Sequence, residues 1–193
     1  MLTKIIPAFI IFVLWLDGWF YPLILLPILY VLLVEKKPLE SIGLTTRDLW
    51  PSTRVALFVF AADLLIYLPI FFYYKPTFQS IYLFDPYTIF TDVIWYPLYE
   101  EIAYRGFLLG HYTSFGDPTF SSKPMLANLI QSILFLSLHH KHLSSGHPLI
   151  LIPVFLLGFL NGTLFLRTRN TVGCILSHSL LNASALVLNH IIV

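Results

Sequence analysis

With 193 residues, 58% hydrophobic and 11% charged, the chain carries less than half the charge of a soluble domain, about 25%. This composition excludes an ordinary water-soluble fold, and the length leaves no room for a soluble catalytic module beside one membrane domain over 1–193. A net charge of +1 without a long basic tract excludes nucleic acid as a partner and leaves the lipid bilayer as the medium the chain is built for.

Met1 to Lys4, followed by apolar residues, opens like a signal peptide, but no small-residue cleavage site follows. Residues 5–34 are apolar except for Asp17. As one helix they would rise about 45 Å, well beyond a hydrocarbon core of about 30 Å. Two short passes with a turn near Asp17-Gly18 fit that length better than one kinked, tilted helix. A polar connection with four basic residues runs from Glu35 to Arg54. Further apolar spans lie near 54–74, 88–114, 122–139, 148–166 and 171–192, which makes seven. The expected fold is an all-α polytopic membrane bundle of about seven transmembrane helices. No segment alternates polar and apolar residues at period two, so a barrel is excluded. Pro97 divides the 88–114 span and predicts a helix restarting there, with Glu100 and Glu101 near its N-terminus. The four Trp and eleven Tyr suit the headgroup boundary, and Cys174, being alone, forms no internal disulfide.

With a cytoplasmic amino terminus and two passes over 5–34, the inner side holds Lys4, Lys36, Lys37, Arg47, Arg54, Lys123, Arg167 and Arg169. The outer side holds Lys75 and Lys141. Eight against two supports that orientation. A single pass over 5–34 inverts the alternation.

Residues 100–106, Glu-Glu-Ile-Ala-Tyr-Arg-Gly, keep three charged groups within a span, where each costs roughly 2.5–3.5 kcal/mol on insertion scales. Glu101 and Arg105 are four apart and predict an ion pair on one helix face. Glu100 points about 100° away and is left free for a cavity. Phe135 and His139 share the four-residue spacing, as do His178 and Asn182. Glu100 lies 16 residues before Gly116, about 24 Å of helix, and His139 lies 18 after Ser121, about 27 Å. His178 and Asn182 lie 8 and 12 residues beyond Asn170, about 12 and 18 Å. The four are expected to converge inside the bundle.

Other polar residues have plainer readings. His140 and His142 read as a solvated boundary cluster, and Cys174 as a small buried apolar residue. Ser177 and Ser179 flank His178 but face elsewhere on the helix. Asp63 and Asp92 either contact helix ends or line a cavity. Glu100, His139 and His178 are residue types that bind zinc, but the H-E-x-x-H arrangement is missing.

Glu100-Glu101-x-x-x-Arg105, Phe135-x-x-x-His139 and His178-x-x-x-Asn182, in order on separate spans, resemble the three motifs of the CPBP family. These are CAAX-processing and bacteriocin-processing membrane endopeptidases, also called Abi proteins. The resemblance covers 97–185, with smaller echoes at 39–44 and 167–170. It implies a metal-independent glutamic intramembrane protease with no cofactor, sited in the plasma membrane of a prokaryotic cell and acting on a peptide or protein substrate, lipidated or not. It further implies that Glu100 is the general base and that His139 positions the water. His178 and Asn182 would stabilise the oxyanion, and Glu101 and Arg105 would support the site. Two alternatives stand beside it: a non-catalytic protein of the same bundle, such as a bacteriocin-immunity factor or scaffold, and a proton- or ion-coupled transporter using Asp63, Asp92 and Glu100.

Overall fold

The computed structural model describes residues 10, 25–74, 85–114 and 123–192, and every regular element among them is helical. Helix α1 (Leu25–Val34) leads through a short 3-10 turn at Leu39–Ile42 into α2 (Leu49–Tyr74). A continuous helical run over 86–114 forms α3, followed by α4 (Pro124–Leu138), α5 (Pro148–Thr168) and α6 (Thr171–Ile192). Of these, α2, α5 and α6 are long and apolar enough to cross a membrane, whereas α1 and α4 are shorter apolar helices. The turn expected at Asp17-Gly18 lies outside the described residues.

The faces of α2 show how the bundle meets lipid. Ser52, Ala56, Val59, Asp63, Tyr67 and Phe71 recur every three or four residues and are buried against α5 and α6. The opposite face is equally apolar yet exposed, with Phe58 at 71% and Leu65 at 70%. A helix that is hydrophobic all round while half uncovered belongs in a bilayer. Asp63 is the charged residue on the buried face, fully buried with neither carboxyl oxygen hydrogen-bonded among the described residues. An unpaired ionised carboxylate buried in apolar surroundings is strongly unfavourable. Replacing it with its uncharged isostere, Asp63→Asn, is therefore expected to leave the thermal unfolding midpoint of the detergent-purified protein unchanged or raise it. A transport path through Asp63 would instead be lost in that variant.

On α3, the start is fixed by Asp85. Its carboxylate accepts from the Tyr87 amide (2.9 Å), the Thr88 amide (3.1 Å) and the Thr88 hydroxyl (2.6 Å), with Pro86 opening the first turn. The Thr88 hydroxyl and these amides hold the Asp85 carboxyl below its usual range. Beyond it, wide π-helical stretches at Phe90–Trp95 and Ile102–Leu109 enclose the α-helical Tyr96–Glu101. Pro97 therefore does not restart a helix. It sits in the first turn of an α-helical stretch that continues the preceding π-helix, so the run stays unbroken and the glutamates lie mid-helix rather than at a free N-terminus. The Tyr30–Phe107 ring contact, and a 2.8 Å hydrogen bond from His111 Nε2 to Glu35 just past the end of α1, join this helix to α3.

Helices α4 and α5 form a close antiparallel pair. The Asn128 side chain donates to the Phe159 carbonyl (3.0 Å) and Thr163 Oγ1 (3.1 Å), and Gln131 donates to the Gly158 carbonyl (3.1 Å). Gly162 makes the approach possible, because a Cβ there would collide with the Asn128 side chain.

Helix α6 begins inside the bundle, which corrects the depth count. The Thr171 amide donates to the Gly43 carbonyl (2.8 Å) and its hydroxyl to the Ile42 carbonyl (2.6 Å). The Asn170 amide group donates to the carbonyls of Thr45 (3.1 Å) and Arg47 (2.7 Å), while its oxygen accepts from Gly173 as the helix cap. Gly43, at φ 75°, makes the left-handed turn this requires. A Cβ on Gly106 would sit 3.1 Å from the Thr171 hydroxyl, so the α6 start lies level with Gly106. From that common level Glu100 lies 6 residues along α3, about 9 Å, and His178 lies 7 along α6, about 10 Å, so the two reach similar depth. The two lesser segments of family resemblance, 39–44 and 167–170, are thus adjoining parts of one junction.

Candidate active site

The i,i+4 spacing puts Glu101 and Arg105 on the buried face of α3, where Arg105 Nε lies 3.2 Å from Glu101 Oε2 and both side chains have no exposed surface. The predicted ion pair forms. Glu101 also does something the spacing alone did not reveal: its Oε1 accepts from His178 Nδ1 at 2.9 Å. One carboxylate therefore holds a guanidinium with one oxygen and an imidazole with the other. Glu100, the neighbour turned about 100° away, places Oε2 3.8 Å from His178 Nε2 and keeps 14% of its side-chain surface exposed. Of the two carboxylates, Glu100 is the one that keeps exposed surface.

Phe135 is the platform beneath these groups. The Arg105 guanidinium lies over its ring at 4.2 Å, the His139 ring centroid is 5.0 Å away, and His178 meets it edge-on at 6.0 Å. Tyr104 packs against it at 5.6 Å. Gly158 on α5 leaves the space: a Cβ there would sit 3.2 Å from the Phe135 ring and 3.4 Å from Arg105 Nη2. Among the described residues, neither Nη1 nor Nη2 of Arg105 has a hydrogen-bond partner, so the Glu101 contact and the ring face balance the guanidinium.

The hydrogen bonds fix what each imidazole can do. His139 Nδ1 faces the Phe135 carbonyl at 3.2 Å, and a carbonyl only accepts, so the proton sits on Nδ1 and Nε2 presents a lone pair. Such a nitrogen accepts a hydrogen bond from water. His178 Nδ1 donates to Glu101, so its Nε2 faces Glu100. Nε2 accepts in the neutral ring and donates once both nitrogens carry protons. The 3.8 Å gap to Glu100 is too long for a direct hydrogen bond and suits a bridging molecule.

Glu100, Glu101, Arg105 and His178 are thus brought together directly, and His139 joins them across the Phe135 ring. Asn182, one turn beyond His178, instead donates to the Asp92 backbone carbonyl at 2.8 Å, within the π-helical stretch. Its second N–H remains for another acceptor. Cys174 is fully buried between α5 and α6, its thiol 3.3 Å from the Asn161 carbonyl. Ser177 is tied to Asn161 Oδ1 at 2.6 Å. Both serve packing between helices. Among the described residues, no group of three or more His, Cys, Asp or Glu side chains is arranged to hold a metal ion.

The family described as type II CAAX prenyl endopeptidase Rce1-like matches residues 82–184, more than half of the chain and all three motifs. No curated protein and no solved structure matches it.

Proposed function

The chain belongs to the Rce1-like family of type II CAAX prenyl endopeptidases, and from that premise we propose that it cleaves a prenylated protein near its carboxyl terminus by a glutamate-activated water. It is a membrane-embedded protease, with residues 97–185 forming the catalytic core of a single domain. The observation that carries the reading is the pairing of a partly open Glu100 with a His178 whose far nitrogen is held by Glu101.

In this mechanism Glu100 removes a proton from a water that also donates to His139 Nε2. The oxygen attacks the scissile carbonyl, the C–N bond breaks, and Glu100 returns the proton to the departing amine. His178 Nε2, with both ring nitrogens protonated and Glu101 balancing the charge, donates to the tetrahedral oxyanion. The free Asn182 N–H supplies the second donor. Donors preorganised away from bulk water are worth much more than the same donors in solution, and removing one such donor typically costs about 10²–10³ in rate. Glu101, itself held by Arg105, keeps His178 oriented through every step.

Purified protein in lipid vesicles is expected to release the terminal tripeptide from a prenylated C-A-A-X peptide, as read by mass spectrometry. Release is expected to survive exhaustive chelation. Loss on chelation with recovery on adding a divalent metal would transfer water activation from Glu100 to that metal, and no cleavage under any condition would reject the peptidase reading.

A further inference from the structure

The π-helical stretch ahead of the glutamates is where α3 meets the end of the His178–Asn182 pair, and a proline sets that contact. At the close of Phe90–Trp95 the Tyr96 amide donates to the Thr91 carbonyl, five residues back. In the same register the next donor, the amide of residue 97, would serve the Asp92 carbonyl. Residue 97 is proline and has no N–H to give. The carbonyl left over lies within an apolar span, where an unsatisfied backbone group is costly and a neighbouring helix commonly supplies its partner. Here the partner is Asn182, whose side-chain nitrogen donates to the Asp92 carbonyl at 2.8 Å.

We propose that Pro97 is a positioning residue for the hydrolysis: by withholding an amide from Asp92 it keeps that carbonyl for Asn182, and so fixes the Asn182 amide group with one N–H left to donate. This rests on the peptidase reading above, in which Asn182 is the second donor to the oxyanion. A carbonyl only accepts, so the end of the side chain that meets Asp92 is its NH2, and the other N–H of that group is held in place beside it. Turned over, the same side chain would present an oxygen to the oxyanion and repel it. Asn182 follows His178 by four residues, a spacing that puts side chains about 5–6 Å apart on one helix face, so the two donors can address one oxygen from adjacent positions. Pro97 is buried, and its influence runs through the Asp92 carbonyl.

The test restores the missing donor in the full chain. Pro97→Ala fills the Asp92 carbonyl either way, from residue 97 in the π register or from the Tyr96 amide if the turn tightens to α. On a prenylated C-A-A-X peptide in lipid vesicles its kcat is expected to fall about 10²-fold with KM unchanged, the scale for a reacting group misplaced by about 1 Å. The α-hydroxy analogue of alanine at position 97, which lacks both the ring and the N–H, is expected to keep the parental kcat. In an Asn182→Ala background, Pro97→Ala is expected to cause no further loss. A second readout needs no turnover: Asn182→Ala is expected to lower the thermal unfolding midpoint of the detergent-purified parent and to leave that of Pro97→Ala nearly unchanged. Parental kcat in Pro97→Ala, an equal fall with the α-hydroxy analogue, a further loss in the Asn182→Ala background, or the same midpoint drop with and without the proline would each overturn the proposal. Parental turnover in Asn182→Ala would remove Asn182 from the oxyanion, and the proposal with it. A parent that cuts no peptide would instead overturn the peptidase reading, while the midpoints would still judge the coupling of Pro97 to Asn182.

Discussion

Glu100→Gln is expected to lower kcat by about 10³-fold while the protein is produced and purified at the parental level, because general-base catalysis contributes about 10²–10⁴. The substitution keeps the volume of the side chain and one acceptor oxygen, and removes its charge and its ability to take a proton. Among the described residues Glu100 has no ion pair within hydrogen-bond distance to lose: His178 Nε2 lies 3.8 Å away, and part of the Glu100 surface is already open. KM should change little, because the substrate does not depend on the carboxylate charge for binding. Single-turnover cleavage in vesicles, alongside size-exclusion profiles of both proteins, checks this. A variant with parental turnover would dismiss Glu100 as the base.

Arg105→Ala is expected to have the largest effect on stability, about 3–5 kcal/mol, because it leaves the buried Glu101 carboxylate without its cation and opens a cavity against Phe135. The measurable outcome is a collapse in the yield of folded protein. Pairing it with a second substitution separates support from chemistry. In Glu101→Gln with Arg105→Met, the charges leave together and the volume is largely retained, so yield should recover toward the parent. Turnover should not recover. Without the Glu101 carboxylate, His178 loses the charged acceptor that holds its Nδ1 proton and fixes the ring, and donation from Nε2 to the oxyanion is lost. Recovery of both yield and turnover would reduce Glu101 and Arg105 to a purely structural pair.

Much of this site was legible in the letters. The Glu101–Arg105 pair followed from helical spacing, and the meeting of α3 and α6 followed from polar residues that an apolar span carries only at a cost. The second contact of Glu101 was not, because spacing within a helix says which side chains share a face and nothing about which helix arrives opposite. Phe135 was visible only as a motif letter; its role as a ring shared by Arg105, His139 and His178 depends on three helices at once. Pro97 misled in a specific way. The usual rule assumes α-helical bonding on both sides, whereas the preceding stretch is π-helical and runs on through the proline without a restart. Counting residues from a connecting turn also misjudged depth, since it assumed that every helix starts at the same surface. Residues 42–47 upset that assumption by receiving Asn170 and Thr171 within the protein.

That early start of α6 has a consequence for how the enzyme tolerates its surroundings. His178 takes its height from backbone carbonyls of its own chain, seven residues below it, and not from a boundary with lipid headgroups. When a thicker or thinner membrane tilts the outer helices to match, the histidine and the two glutamates shift together, because one internal ruler sets all three. Their mutual distances are therefore expected to depend little on the thickness of the membrane around them.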